Sequence, residues 1–213
     1  MRKTFLAFLI ITGLGFAGSA QAQHSRGFSI GARLAYSIPM GTAFQNGGIA
    51  VDQSSLISGA FPIWFEGGYR FNPNVYVGGY LQLSPASVSS TECGGGSCSG
   101  SNTRLGVNGI YHFTPHRSFD PWVGLGFGYE WTSWSVDDVD YGLRGFQFFE
   151  IEVGGDFRLA PHFTLGPFMD LTFGQYGTYT EQTAGTTTIQ DIAGGDSGTH
   201  SWLQIGVKGT FDL

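Results

Sequence analysis

The sequence predicts an all-β chain: a transmembrane antiparallel up-and-down β-barrel of eight strands, with short periplasmic turns and long extracellular loops. Three observations predict it. Glycine occurs 35 times in 213 residues and aromatic residues make up 15%, whereas glycine is ordinarily ~7% of a chain. Charged residues are only 12%, about half the ~25% of soluble domains. Apolar residues alternate with polar or small ones in eight stretches, the period-2 mark of strands with two chemically different faces. A hydrophobic fraction of 41% excludes a disordered chain. Ten basic residues and a net charge of −6 do not make a nucleic-acid surface.

The first segment reads as a cleaved signal peptide over residues 1–22, followed by the barrel domain over 23–213. Arg2 and Lys3 precede an apolar run from Phe5 to Phe16, which gives way to small residues and Ala20-Gln21-Ala22, an A-x-A cleavage pattern. The apolar core is shorter than the ~20 residues a membrane-spanning helix needs, and no later stretch reaches 18.

Eight strands follow in order. From Phe28 to Ile38 the even positions are apolar, and Arg33 stands among the odd ones. In the second, Phe61, Ile63, Phe65, Tyr69 and Phe71 oppose Trp64, Glu66 and Arg70. In the third, Val75, Val77, Leu81 and Leu83 oppose Tyr76, Tyr80 and Gln82; in the fourth, Leu105, Val107, Tyr111 and Phe113 oppose Arg104, Asn108 and His112. The fifth sets Val123, Leu125, Phe127, Tyr129 and Trp131 against Gly124, Gly126, Gly128 and Glu130. The sixth sets Phe149, Ile151, Val153 and Phe157 against Glu150, Glu152, Asp156 and Arg158. The seventh sets Phe163, Leu165, Met169, Leu171 and Phe173 against Asp170, and the eighth sets Leu203, Ile205, Val207 and Phe211 against Gln204 and Lys208.

Connections alternate in length. Short links lie at Asn72-Pro73-Asn74, from Thr114 to Asp120, and at Ala160-Pro161; long polar ones run over about 40–58, 87–102, 137–142 and 181–199. An even strand count with short turns at one end and long loops at the other is the outer-membrane layout. A soluble up-and-down barrel would also alternate, but its polar face would meet water and carry many charges. Here six bases (Arg33, Arg70, Arg104, Arg144, Arg158, Lys208) and six acids (Glu66, Glu130, Glu150, Glu152, Asp156, Asp170) are assigned to one face. That balance suits a paired interior, and the nearly uncharged opposite face suits lipid.

Several segments carry a family resemblance: GARLAYSIPMG from Gly31, FEGGYRFNPNVYVGGY from Phe65, DPWVGLGFGYEW from Asp120, RGFQFFEIEVGGDFRLAP from Arg144, and the closing QIGVKGTFDL. Together they resemble the eight-stranded outer-membrane β-barrels of Gram-negative bacteria, the broad OmpA/OmpX/OmpW-like group, over roughly Gly27 to Leu213. The chain ends on Leu213, whereas members of that group often end on Phe. The resemblance implies residence in the bacterial outer membrane, contact with its lipid and lipopolysaccharide, and insertion by the barrel-assembly machinery through the C-terminal strand. It brings no catalytic motif, and fold analogy does not settle function.

The candidate functional features are side-chain groups. A lumen network of Arg33, Glu66, Arg70, Glu150, Glu152, Asp170 and Lys208 reads as a paired structural plug, because an eight-stranded interior is just filled by side chains; the other reading is a narrow gated pore. Trp134, Phe146, Phe148 and Trp202 are expected on the inward face near the loop ends, as packing for the loops or as an apolar mouth for a hydrophobic small molecule, as the OmpW-like branch implies. The long loops carry Asp52, Glu92, Asp137, Asp138, Asp140, Glu181, Asp191 and Asp196 and no Lys or Arg. They read as a solvated acidic rim, open to an extracellular partner; Asp137–Asp140 lacks the glycine and distal glutamate of a calcium loop. Cys93 and Cys98, in CGGGSC of an exported chain, are expected to form a disulfide. No cofactor, resident metal or enzymatic role is expected. Only His200 lies near the long loops, and its neighbour Ser201 would point to the opposite face of a strand.

Overall fold

The computed structural model describes residues 26–183 and 186–213; the expected signal peptide lies outside the described residues. The strands are β1 (Gly27–Asn46), β2 (Ile49–Asp52), β3 (Ile57–Ala60), β4 (Ile63–Asn72), β5 (Val75–Val88), β6 (Cys98–His112), β7 (Phe119–Val136), β8 (Val139–Ala160), β9 (Phe163–Thr183), β10 (Thr186–Asp191) and β11 (Thr199–Asp212), with two single-turn helices, α1 (Gln53–Leu56) and α2 (Ser90–Cys93). β3 and β4 are one wall strand interrupted at Phe61-Pro62, where proline offers no ladder N–H. The ring therefore has eight members, each antiparallel to its neighbours, and closes where β1 pairs with β11 from Ser29↔Asp212 to Gly41↔His200. A closed ring leaves no edge in lipid, where each unpaired backbone group would cost several kcal/mol.

The apolar faces expected to meet lipid point outward. Phe28, Ile30, Leu34, Phe65, Leu105, Leu125, Phe127 and Ile205 are all exposed, as a lipid-facing wall requires. On β7 the outward apolar series runs from Phe119 to Trp131, roughly 30 Å along the axis of a tilted strand. Aromatic pairs mark the periplasmic edge: Phe28–Tyr69, Tyr69–Phe71, Tyr111–Phe113 and Phe119–Phe157, with ring centroids 4.8–5.3 Å apart. The turns there are short, as expected. At the first, Asn72 Oδ1 accepts the Asn74 and Val75 N–H groups, both at 2.9 Å.

At the outer end the long connections are present and are themselves partly strand. β1, β5, β7, β8 and β9 continue well past the apolar band, and β2 and β10 fold back on β1 and β9 as hairpins. Backbone outside lipid still gains by pairing, and Gly47 (φ 58°) and Gly48 (φ 81°) permit the tight β1–β2 turn.

A difference from expectation lies on β8. Gly126 of β7 pairs with Glu150 but Gly128 pairs with Gln147, and the same slip recurs against β9 between Gln147 and Phe149. One extra residue on β8 is a bulge, which inverts the inside–outside alternation of everything before it. Arg144, Phe146 and Phe148, expected inside, therefore face outward, with Phe146 67% and Phe148 51% exposed.

Candidate functional site

The lumen has a lower and an upper ion-pair layer. The lower begins with Arg33 on β1, whose Nε donates to Glu66 Oε2 at 2.8 Å and whose Nη1 bonds Glu152. Lys208 on β11 approaches the other Glu66 oxygen at 3.5 Å, and Asn108 Nδ2 donates to Glu152 at 2.8 Å. All four charged groups are buried. Aromatic faces cage the cations: the Arg33 guanidinium lies 4.6 Å from the Trp64 ring and 5.2 Å from Phe168, and Lys208 Nζ lies 4.4 Å from Trp122. Such contacts strengthen once the cation is out of water.

The upper layer centres on Glu130 of β7. One of its oxygens accepts from Tyr176 (2.6 Å), Asn102 (2.8 Å), Thr132 (3.0 Å) and Trp202 Nε1 (3.0 Å). The other faces Arg104 at 3.3 Å and His200 at 3.4 Å. The His200 ring stacks on Tyr176, centroids 3.9 Å apart. Sequence reasoning counts Glu130 and Arg104 as interior charges but does not single them out. The signal is present, for both fall on the inward parity of their strands and pair directly in register.

Between the layers lie Glu150 and Asp170. Tyr80 and Gln147 both donate to Glu150 Oε2 at 2.7 Å. Among the described residues no ion pair joins Glu150 or Asp170 to a base, so the expected pairing is incomplete. Register is the reason: Asp170 stands opposite Gln204 and Glu152, while Lys208 stands opposite Gly166 and reaches Glu66 instead. Arg70 also leaves the central network. It lies two inward positions below Glu66, donating to the Pro73 carbonyl at 3.2 Å and pairing with Asp212 at 3.6 Å.

The mouth is apolar, but only half of its expected residues form it. Trp134 and Trp202 are buried there with Ala43, Leu143 and Tyr176; Phe146 and Phe148 are on the outer wall. Their place is taken by Leu56, at the end of α1, and Ile57 of β3, both nearly inaccessible to solvent. Gln53 anchors α1 by donating to the Tyr176 hydroxyl at 3.0 Å. The first extracellular connection thus folds into the opening. No local pattern in its sequence announces this.

Beyond the mouth, Cys93 and Cys98 are joined as expected. The acidic residues stay at the outer end, where Asp137 accepts the Ser97 N–H at 3.2 Å and Asp140 bonds Ser135. Among the described residues no group of three or more His, Cys, Asp or Glu is placed to hold a metal ion. His200 and Ser201 do point to opposite faces: the imidazole is buried, the hydroxymethyl half-buried on the other side.

The outer membrane protein beta-barrel domain family matches residues 7–211, nearly the whole chain. The chain belongs to that family. No curated protein matches it. Outer membrane protein AlkL, solved in DMPC bilayers, is similar with a TM-score of 0.51 at 15% identity, over 100% of this chain and 98% of AlkL. A major outer membrane protein of Thermus thermophilus gives 0.50 at 13% identity, over 88% and 100%. OprG of Pseudomonas aeruginosa gives 0.48 at 13%, over 88% and 97%. At these identities the likeness speaks to the fold, and that fold is the eight-stranded barrel of bacterial outer-membrane proteins.

Proposed function

We propose that this family member is a closed, non-catalytic outer-membrane barrel that presents an acidic extracellular surface to a partner. It is exported through a signal peptide cut after Ala22 and inserted by the barrel-assembly machinery acting on its last strand. The observation that carries this reading is the filling of the lumen. Arg33, Glu66, Glu152 and Lys208 pair below, Arg104 and Glu130 pair above, and Leu56 and Ile57 stop the mouth. Opening a path would leave buried ions unpaired, at several kcal/mol each. The polar groups that could serve catalysis near the mouth are already engaged, His200 by the Tyr176 ring and Glu130 by four donors to one oxygen.

The test is single-channel recording of refolded protein in a planar bilayer, with insertion verified by the mobility difference between unheated and boiled samples on a gel. A silent inserted barrel is the expected result. Reproducible conductance steps would overturn it in favour of a narrow channel.

A further inference from the structure

We propose that Arg144 and the aromatic wall beneath it form a binding site for a phosphorylated lipid of the outer leaflet; this rests on the outer-membrane reading above. The β8 bulge turns Arg144 outward, where it is exposed. Bulges recur where a side chain is re-aimed. Among the described residues Arg144 is the one base that the barrel wall presents outward above the apolar band, since Arg33, Arg70, Arg104 and Lys208 are buried inside and Arg158, half-buried at the opposite end of β8, donates to the Pro115 carbonyl. It also has no hydrogen-bond or ion-pair partner among the described residues, although the loops above hold eight acids and no base. The nearest acid on its own outward face, Asp140, stands four residues up the strand, ~13 Å away, and is bonded to Ser135.

Its height fixes the chemistry of the partner. Register sets Arg144 beside Trp131 on β7 and Thr178 on β9. Directly below, Tyr129 packs against Trp131 at 4.7 Å and Phe146 at 5.2 Å, and from there downward the outer face is apolar. Above, Ser133 and Gly142 begin the polar end. Aromatic girdles of this kind lie at the membrane–water interface, so the guanidinium sits at the depth of lipid phosphates. A guanidinium offers a planar fork of donors that matches phosphate bidentately. The exposed Trp131 ring beside it and the exposed Phe146 ring beneath supply a surface for the acyl chains of the same molecule. A free phosphate would use the first contact only; a lipid uses both.

The test uses the refolded full chain in nanodiscs and titrates bisphosphorylated lipid A, dephosphorylated lipid A and inorganic phosphate, following bound lipid by native mass spectrometry. Arg144→Gln should bind the bisphosphorylated lipid about tenfold more weakly than wild type, the scale of losing a hydrogen-bonded charge pair. Arg144→Lys should fall between them. Dephosphorylated lipid A should bind wild type and Arg144→Gln alike, and inorganic phosphate should not compete. Equal affinity of wild type and Arg144→Gln for the bisphosphorylated lipid would overturn the proposal, and so would competition by inorganic phosphate. Both variants must keep the heat-dependent gel mobility of the wild type. Loss of that mobility in the wild type itself would instead sink the outer-membrane reading.

Discussion

The Tyr80 hydroxyl donates to Glu150 at 2.7 Å although two strands, β6 and β7, stand between them in the wall. The phenol crosses over glycines: a Cβ at Gly106 would lie 2.5 Å from the Tyr80 ring, and one at Gly128 3.2 Å from its hydroxyl. Gly128 is thus a clearance for a side chain two strands away, while Gly124 and Gly126 leave room for Glu152 and Glu150 of the adjacent β8. Gly106→Ala should destabilise the barrel by about 1–3 kcal/mol through overpacking, read as urea unfolding in lipid. Gly67→Ala, whose Cβ would meet nothing within 4 Å, should change stability by less than about 0.5 kcal/mol. Equal effects would refute the clearance argument.

Arg33 neutralises two carboxylates, Glu66 and Glu152. Arg33→Met should cost about 3–5 kcal/mol, since it strands buried charge. Adding Glu152→Gln should recover part of that loss. If the double variant is as unstable as the sum of the singles, the two groups do not act as a pair.

At the mouth, Leu56→Ala and Ile57→Ala should each cost about 2–5 kcal/mol, the range for emptying a packed apolar site. Bilayer recordings of either variant should nevertheless stay silent, because the Arg33 layer lies below and is untouched. Conductance in Leu56→Ala would place the barrier at the mouth alone.

Reduction of Cys93–Cys98 should act locally. The bridge spans five positions at the tip joining α2 to β6, far from both ion-pair layers. Heat-dependent gel mobility should be unchanged by a reducing agent, while cleavage near 94–97 by an added protease should rise. A shift of the whole unfolding transition would contradict this.

The two faces of the wall are legible from the sequence wherever alternation runs unbroken. Phe28 to Ile38, Phe61 to Phe71 and Val123 to Trp131 all take their expected sides. β8 is the exception, because a bulge shifts parity by one and leaves no mark in composition; it misplaces Arg144, Phe146 and Phe148 together for that single reason. That the charges face inward can be read, but not which charges meet. Lys208 finds Glu66 rather than Asp170 because pairing across the ring depends on the stagger of non-adjacent strands, to which local pattern is blind. The insertion of Leu56 and Ile57 into the mouth is hidden in the same way, inside a stretch that reads as polar loop.

Arg33 belongs to the first wall strand and Lys208 to the last, and both terminate on Glu66. A chain made from its N-terminus therefore carries an undercompensated acid until the 14 residues of its last strand arrive. β1 also lacks a neighbour on one side until then. Closing the ring and completing the charge set around Glu66 thus depend on the same strand. A chain without β11 would forfeit both at once.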